Sequence, residues 1–205
     1  MKNAHKKPNK HKALNQVRIV GGQFKRRYIH FIDADGLRPT TDRMRETLFN
    51  WLMHDIFDAN ILDTCAGSGV LGFEALSRGA SKATFIEANQ KQANQLQQTA
   101  INLGLSSEQF VIHSGKAETI IDTIKNQTFN IVFIDPPYAL NLWQPIIDAL
   151  LVNQLINDDS LLYIESNKTL ETIFDAHFIK NIQVVKQKTM GQIFSWVIQL
   201  KHTSK

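Results

Sequence analysis

The run Asp135-Pro136-Pro137-Tyr138 holds residue types that can do chemistry together. Pro136 biases Asp135 toward an extended backbone, and Pro137 does the same to Pro136. Neither proline has an N–H to occupy nearby acceptors. The run is therefore a stiff corner that presents two fixed acceptors, the Asp135 carboxylate and the Pro136 carbonyl. A planar exocyclic amine has two hydrogens to give them. Holding both hydrogens on one side aims the nitrogen at an electrophilic methyl group, and Tyr138 can stack on the flat ring that carries the amine. The structural alternatives are a plain strand terminator for the two prolines and a helix cap for Asp135.

A second constellation lies upstream, at Asp63-Thr64-Cys65-Ala66-Gly67-Ser68-Gly69. Glycines between a strand and a helix let the backbone approach a ligand closely, and the helix start offers free N–H groups. Gly67, Gly69 and Gly72 satisfy the G-x-G-x-x-G spacing, so a nicotinamide nucleotide is not excluded by spacing alone. Two acids favour a different cofactor. Asp63 precedes the turn, where it can meet an ammonium group. Glu87 follows Gly69 by 18 positions, near the offset at which an acid takes ribose hydroxyls. S-adenosylmethionine needs both contacts and carries no pyrophosphate. Gly67 and Gly69 as a mere tight turn is the plainer reading. Cys65 reads as a small apolar filler rather than a nucleophile, with no His–Asp pair near it in sequence. One cysteine makes neither an internal disulfide nor a zinc site, and its thiol suggests a reducing, cytoplasmic compartment.

Positioning these groups takes an alternating chain. From residue 60 onward, strand ILDTC leads to helix GVLGFEALSRG and strand ATFIEA to helix NQKQANQLQQTAINLG. Strand QFVIHS leads to helix KAETIIDTIKN, and strand NIVFID runs through PPY into helix LWQPIIDALLVNQ, followed by strand LLYIES. Continuous apolar strands predict a parallel sheet covered on both faces. Right-handed crossovers then give a doubly wound α/β fold, with ligands at the carboxyl ends of its strands. The segment NIQVVKQKTMGQIFSWVIQL predicts two strands turning at Met190-Gly191, an antiparallel edge hairpin. Upstream, Thr40 or Thr41 can cap a helix whose face is Met44, Leu48, Trp51 and Leu52.

The chain has 205 residues, 43% apolar and 20% charged, which suits one globular domain and excludes a disordered or fibrous chain. No apolar run approaches the roughly 20 residues that span a bilayer, and no secretory signal is expected. The net charge of +4 is unevenly spread. Residues 1–27 carry nine Lys/Arg and no acid, leaving 14 bases against 19 acids in the rest. Residues 1–16 predict a flexible basic arm, 17–35 a β-hairpin around Gly21-Gly22, and 36–205 the main domain. The hairpin's second strand is expected to carry Lys25, Arg26 and Arg27 beside Phe24 and Tyr28, which suits an RNA surface. A solubilising tail and a charged edge strand are the bland alternatives.

Together with the DPPY run, Arg18-Ile19-Val20-Gly21-Gly22, Gly36-Leu37-Arg38-Pro39-Thr40-Thr41-Asp42-Arg43, Arg45-Glu46-Thr47-Leu48-Phe49-Asn50-Trp51-Leu52 and the Asp63–Gly69 turn resemble the RsmD family. These are bacterial 16S ribosomal RNA guanine-N2 methyltransferases. The likeness runs from about residue 17 to 200 and includes Glu165-Ser166 and Gly191-Gln192; the Lys-rich first 16 residues stand outside it. It implies a class I, Rossmann-like methyltransferase fold, S-adenosylmethionine as cofactor, and a loop guanine of 16S rRNA in the assembled or assembling small subunit as substrate. Arg38, Thr40 and Asp42 are then expected near the methionine end of the cofactor, although Thr41 and Asp42 serve equally as helix caps. The cofactor-binding set is Arg38, Thr40, Asp63, Cys65, Ala66, Gly67, Ser68, Gly69, Glu87, Ala88, Lys116, Ala117 and Asp135, with the run around His113 and Lys116 bordering adenine. Arg43 and Arg45 either bind RNA phosphate or form helix pairs. No metal, membrane or second subunit is expected.

Two other functions fit parts of this pattern. DNA adenine or protein glutamine amino-methylation uses the same tetrad logic, usually with Asn in place of Asp135, and the DNA enzymes add a recognition segment that 205 residues do not accommodate. A non-catalytic RNA-binding protein on a silent cofactor fold is the other.

Overall fold

The computed structural model describes residues 15–32 and 40–202. The chain order is β1 (Asn15–Arg18), β2 (Tyr28–Phe31), α1 (Asp42–Trp51), β3 (Asn60–Asp63), α2 (Val70–Ser77), β4 (Lys82–Glu87), α3 (Gln90–Leu103), β5 (Phe110–Ser114), α4 (Ala117–Ile121) and β6 (Ile131–Ile134). A 3-10 turn (Tyr138–Leu140), α5 (Trp143–Val152), β7 (Leu161–Ser166), α6 (Leu170–Ile173), α7 (Ala176–Lys180), β8 (Ile182–Met190) and β9 (Ile193–Leu200) follow.

Seven strands form one sheet in the order β5-β4-β3-β6-β7-β9-β8. The first five are parallel, and β9 lies antiparallel between β7 and β8. The period-2 alternation of side chains splits the apolar strands between two cores. On β6, Ile131 and Phe133 join one core while Val132 and Ile134 join the other. The first core is covered by α1, α2, α3 and the β1–β2 pair, and the second by α4, α5, α6 and α7. The order reverses between β3, whose crossover leads to β4, and β6 on its other side. Such a switch point is where doubly wound sheets bind ligands, and Asp63 and the DPPY run sit there, at the carboxyl ends of both strands. The C-terminal hairpin forms as expected, turning at Gly191 with φ +63°.

Helix α1 begins where the capping residues predict, with Thr41 Oγ1 accepting the Met44 N–H at 3.3 Å. Met44, Leu48 and Leu52 are buried on its inner face. Helices α6 and α7, of four and five residues, were not anticipated; they are too short for a periodic pattern to reveal. Helix α4 stops at Ile121, five residues before the expected end.

The N-terminal hairpin differs from expectation in three ways. Strand β1 starts at Asn15, inside the segment expected to be a free arm. Its partner is β2, in the register Arg18↔Tyr28, so Gly21-Gly22 lies within a nine-residue connection (residues 19–27) and not at a two-residue turn. Lys25, Arg26 and Arg27 therefore belong to that connection and not to a strand. Val17, Ile19, Ile29 and Phe31 also enter the first core, which makes the hairpin part of the main body. Residues 1–14 and 33–39, with Arg38, lie outside the described residues.

Candidate active site

The turn after β3 is held from three sides. Gly67 (φ +51°) and Gly69 (φ +75°) adopt the left-handed region that a side chain would strain. Glu87, at the end of β4, accepts the Gly67 N–H on Oε2 at 2.8 Å and the Asn89 N–H on Oε1 at 2.7 Å. Gln92 Nε2 donates to the Gly67 carbonyl at 2.7 Å, and its Oε1 accepts the Ile32 N–H at 2.8 Å, which ties the turn to the end of the hairpin. Thr64 Oγ1 donates to the Phe133 carbonyl at 2.8 Å, fixing the turn against β6. Ala66 and Ser68 are buried in this turn, and Cys65 is half-buried against the second core.

Asp63 is 4% exposed, and its carboxylate accepts the Gly72 N–H at 3.3 Å. Burial, with the nearby Glu87 charge adding to it, lifts its pKa to about 7. Burial and the neighbouring carboxylates push the Cys65 thiol far up, so it stays a neutral thiol, as a filler should. Lys116 is exposed at the start of α4, Ala117 is buried in its first turn, and Ala88 is exposed just after β4. Burial and the charge of Lys82 hold His113 below its ordinary pKa.

The DPPY run leaves β6 at the same edge. Asp135 is raised well above the carboxylate range, first by burial and then by the charges of Glu165 and Asp63, while a hydrogen bond from the Thr40 hydroxyl opposes the rise. Tyr138 sits in the 3-10 turn with its ring 5.9 Å from that of Trp143, and its hydroxyl donates to Glu165 Oε1 at 3.2 Å. Trp143 Nε1 in turn donates to the Glu165 carbonyl at 3.0 Å. The loop after β6 is thus pinned to the end of β7.

Arg45 was expected at an RNA surface or in a helix pair, and its surroundings exclude the first. It is fully buried. Its guanidinium pairs with Asp42 Oδ1 at 2.8 Å and donates to the carbonyls of Thr40 at 3.0 Å and Arg18 at 2.6 Å. Arg18 closes the network on Asp42 Oδ2 at 3.1 Å. Arg45 therefore fixes the backbone of Thr40, whose hydroxyl reaches Asp135. Arg43, two residues earlier on the same helix, is exposed.

Arg27 is also misplaced by sequence reasoning. It donates to the carbonyls of Leu103 at 3.2 Å and of Asn102, capping the C-terminus of α3, and lies 5.7 Å from the Phe24 ring centroid. The Gln23 N–H donates to the carbonyl of Ser77 at the end of α2. Helices α2 and α3 run back from the carboxyl edge, so their ends mark the opposite edge. A 14-residue helix puts Lys25, Arg26 and Arg27 roughly 20 Å from the glycine turn. Lys25 and Arg26 are exposed there, but they do not border Tyr138.

Sequence reasoning gave no role to Glu165. It is 7% exposed at the end of β7 and holds two phenol hydrogen bonds, one each from Tyr138 and Tyr163. The available signal was an acid ending the otherwise apolar strand LLYIES.

A seven-stranded sheet of this order, with a glycine turn after β3, an acid ending β4 and a DPPY corner after β6, defines a class I methyltransferase. The comparisons agree. The family model described as "Conserved hypothetical protein 95" matches residues 17–199. Haemophilus influenzae "Ribosomal RNA small subunit methyltransferase D" is 41% identical over 180 residues, covering 87% of this chain and 91% of that protein. The Escherichia coli protein of the same name is 45% identical over 161 residues, covering 78% and 79%. A solved Escherichia coli chain named as a methyltransferase is 36% identical with a TM-score of 0.78, covering 91% of this chain and 99% of that one. The chain belongs to the RsmD family of S-adenosylmethionine-dependent methyltransferases.

Proposed function

We propose that this protein methylates the exocyclic N2 of a guanine in 16S rRNA of the small ribosomal subunit. The observation that carries the reading is the Asp135–Pro136 corner at the carboxyl end of β6, beside the glycine turn. The names of the relatives supply the RNA; the paired acceptors supply the amine.

The site fits S-adenosylmethionine in its donor set. It offers a glycine turn in the left-handed region, an acid ending β4, and a buried acid beneath the turn. Glu87 would hold the ribose hydroxyls and Asp63 the ammonium. The backbone of Ala66, Gly67, Ser68 and Gly69 would lie against the cofactor, and Ala88, Lys116 and Ala117 would border the adenine. Bound there, S-adenosylmethionine supplies an electrophilic methyl group.

The chain's own residues do the rest. Asp135 and the Pro136 carbonyl accept both amine hydrogens and draw the nitrogen lone pair out of the ring. Thr40, anchored through Arg45, holds the Asp135 carboxylate in one orientation. The raised pKa of Asp135 makes it a competent acceptor for the proton that the amine must lose. Tyr138, braced by Trp143 and Glu165, gives a flat surface for a base turned out of an RNA loop. Such a substrate places the protein in the cytosol. The test is mass mapping of modified 16S rRNA nucleosides from cells with and without the protein. One N2-methylguanosine should disappear in its absence. An unchanged nucleoside map overturns the reading.

A further inference from the structure

Parallel pairing sets Ile134 of β6 opposite Ile164 of β7. The next residue on each strand is an acid, Asp135 and Glu165, and alternation turns both to the same face of the sheet. Glu165 is locked there. Its Oε2 accepts the Tyr163 hydroxyl at 2.7 Å, its Oε1 accepts the Tyr138 hydroxyl at 3.2 Å, and Tyr163 also lies 3.4 Å from Ser195 Oγ. Each carboxylate oxygen keeps a second lone pair after these bonds. No lysine or arginine pairs with Glu165 among the described residues. Two neighbouring acids without a cation repel each other and are costly to bury. Packing gains nothing from the second carboxylate, because an apolar residue would continue the β7 pattern. A ligand that brings hydrogens to both acids relieves the cost.

Guanine is such a ligand. Its Watson–Crick edge offers N1–H directly beside the two N2 hydrogens, three donors in a row. Adenine offers a lone pair at N1. Asp135 and the Pro136 carbonyl account for the N2 hydrogens, and the adjacent acceptor falls to Glu165. We propose that Glu165 is a specificity-determining residue that accepts the N1–H of the target guanine and rejects purines lacking that hydrogen. The inference rests on the guanine-N2 reading above.

The experiment uses small subunits reconstituted with guanine or 2-aminopurine at the mapped position. 2-Aminopurine keeps the N2 amine but carries a lone pair at N1. The wild-type protein should prefer guanine by at least a hundredfold, since a site built for a substrate N–H leaves its own acceptor unpaired without it. Glu165→Gln can turn an amide N–H toward that lone pair, so its preference should shrink to within about tenfold. Wild-type protein that methylates both bases equally overturns the role of Glu165 whether or not the variant folds. So does a folded variant that loses rate on both bases with its preference intact. Wild-type protein that methylates neither base, while still transferring a methyl group to some other acceptor, instead overturns the guanine reading and this inference with it.

Discussion

The two edges of the sheet use charge in opposite ways. At the carboxyl edge, Asp63, Glu87, Asp135 and Glu165 converge, and burial raises the pKa of each. Their partners are backbone N–H groups and hydroxyls, which orient a carboxylate without neutralising it. At the amino edge, Arg27 caps the end of α3, and Arg78 pairs with the buried Glu74 at 2.9 Å while lying over the Phe49 ring. These charges hold helices to the hairpin, Glu74 also accepting the Val20 N–H at 2.8 Å, while Lys25 and Arg26 stay exposed. A cluster that fold stability does not require marks a site; charges answered by carbonyls and acids mark a joint.

The sharpest way to break this contrast is Asp135→Ala. It removes one of the two amine acceptors and leaves the glycine turn intact. Turnover should fall by roughly a hundredfold or more, with S-adenosylmethionine affinity within a few-fold. The pH profile should change as well. The carboxylate is the working form, and its pKa is raised, so wild-type turnover should climb with pH through a value above the ordinary carboxylate range. That limb belongs to the Asp135–Glu165 pair together. In the variant it should shift toward the behaviour of Glu165 alone. Near-normal turnover would show that the acids at this edge are structural after all.

Glu87→Ala comes next. Glu87 spans two backbone donors and stands at the ribose position, so its loss should weaken cofactor binding by about 1.5–3 kcal/mol, the scale of a lost hydrogen bond to a charged group. Calorimetry reads this directly. Unchanged affinity would make Glu87 a turn brace only.

The amino edge should respond in stability instead. Arg27→Ala frees two carbonyls at the end of α3 and should lower stability by about 0.5–1.5 kcal/mol in denaturant titrations. Lys25→Ala with Arg26→Ala should leave stability within about 0.5 kcal/mol. Equal loss from both variants would erase the distinction between joint and free surface.

The sequence showed one edge far better than the other, for physical reasons. The DPPY corner and the glycine turn are local: proline stiffness and glycine freedom act within a few residues, so their chemistry is visible in a string. The alternation of apolar strands and helices is local too, and it set the sheet. Arg45 was ambiguous because i, i+3 spacing to Asp42 describes an exposed pair and a buried network alike. Only the arrival of Arg18 and Thr40 carbonyls decides between them. Glu165 meets Asp135 through strand register across 30 residues of chain, which no short motif encodes. The basic hairpin failed for a related cause. Gly21-Gly22 looks like a two-residue turn, yet Gly22 packs on the Ser77 backbone, where an added Cβ would lie 1.9 Å from the carbonyl oxygen. That tertiary contact, not strand pairing, explains the glycine.

The smallest expected effect comes from the N-terminal lysines. Removing residues 2–14 takes away Lys2, Lys6, Lys7, Lys10 and Lys12 while sparing β1, which begins at Asn15. A cut at residue 16 would also remove Asn15 and Gln16, which pair with Phe31 and His30, and would confuse lost charge with lost fold. Lysines that contact only phosphates add attraction to a polyanion and carry no base information. RNA binding at low salt should therefore weaken, and log K should fall less steeply with log salt, by no more than about 3.5 in slope for five lysines on single-stranded RNA. Turnover at saturating small subunit and S-adenosylmethionine affinity should both stay as they were, because the acids of the carboxyl edge are untouched. Filter binding across a salt series, beside single-turnover methylation, separates these quantities. A drop in single-turnover rate would place the arm at the carboxyl edge with the substrate, and the division of labour between the two edges would then fail at its weakest point.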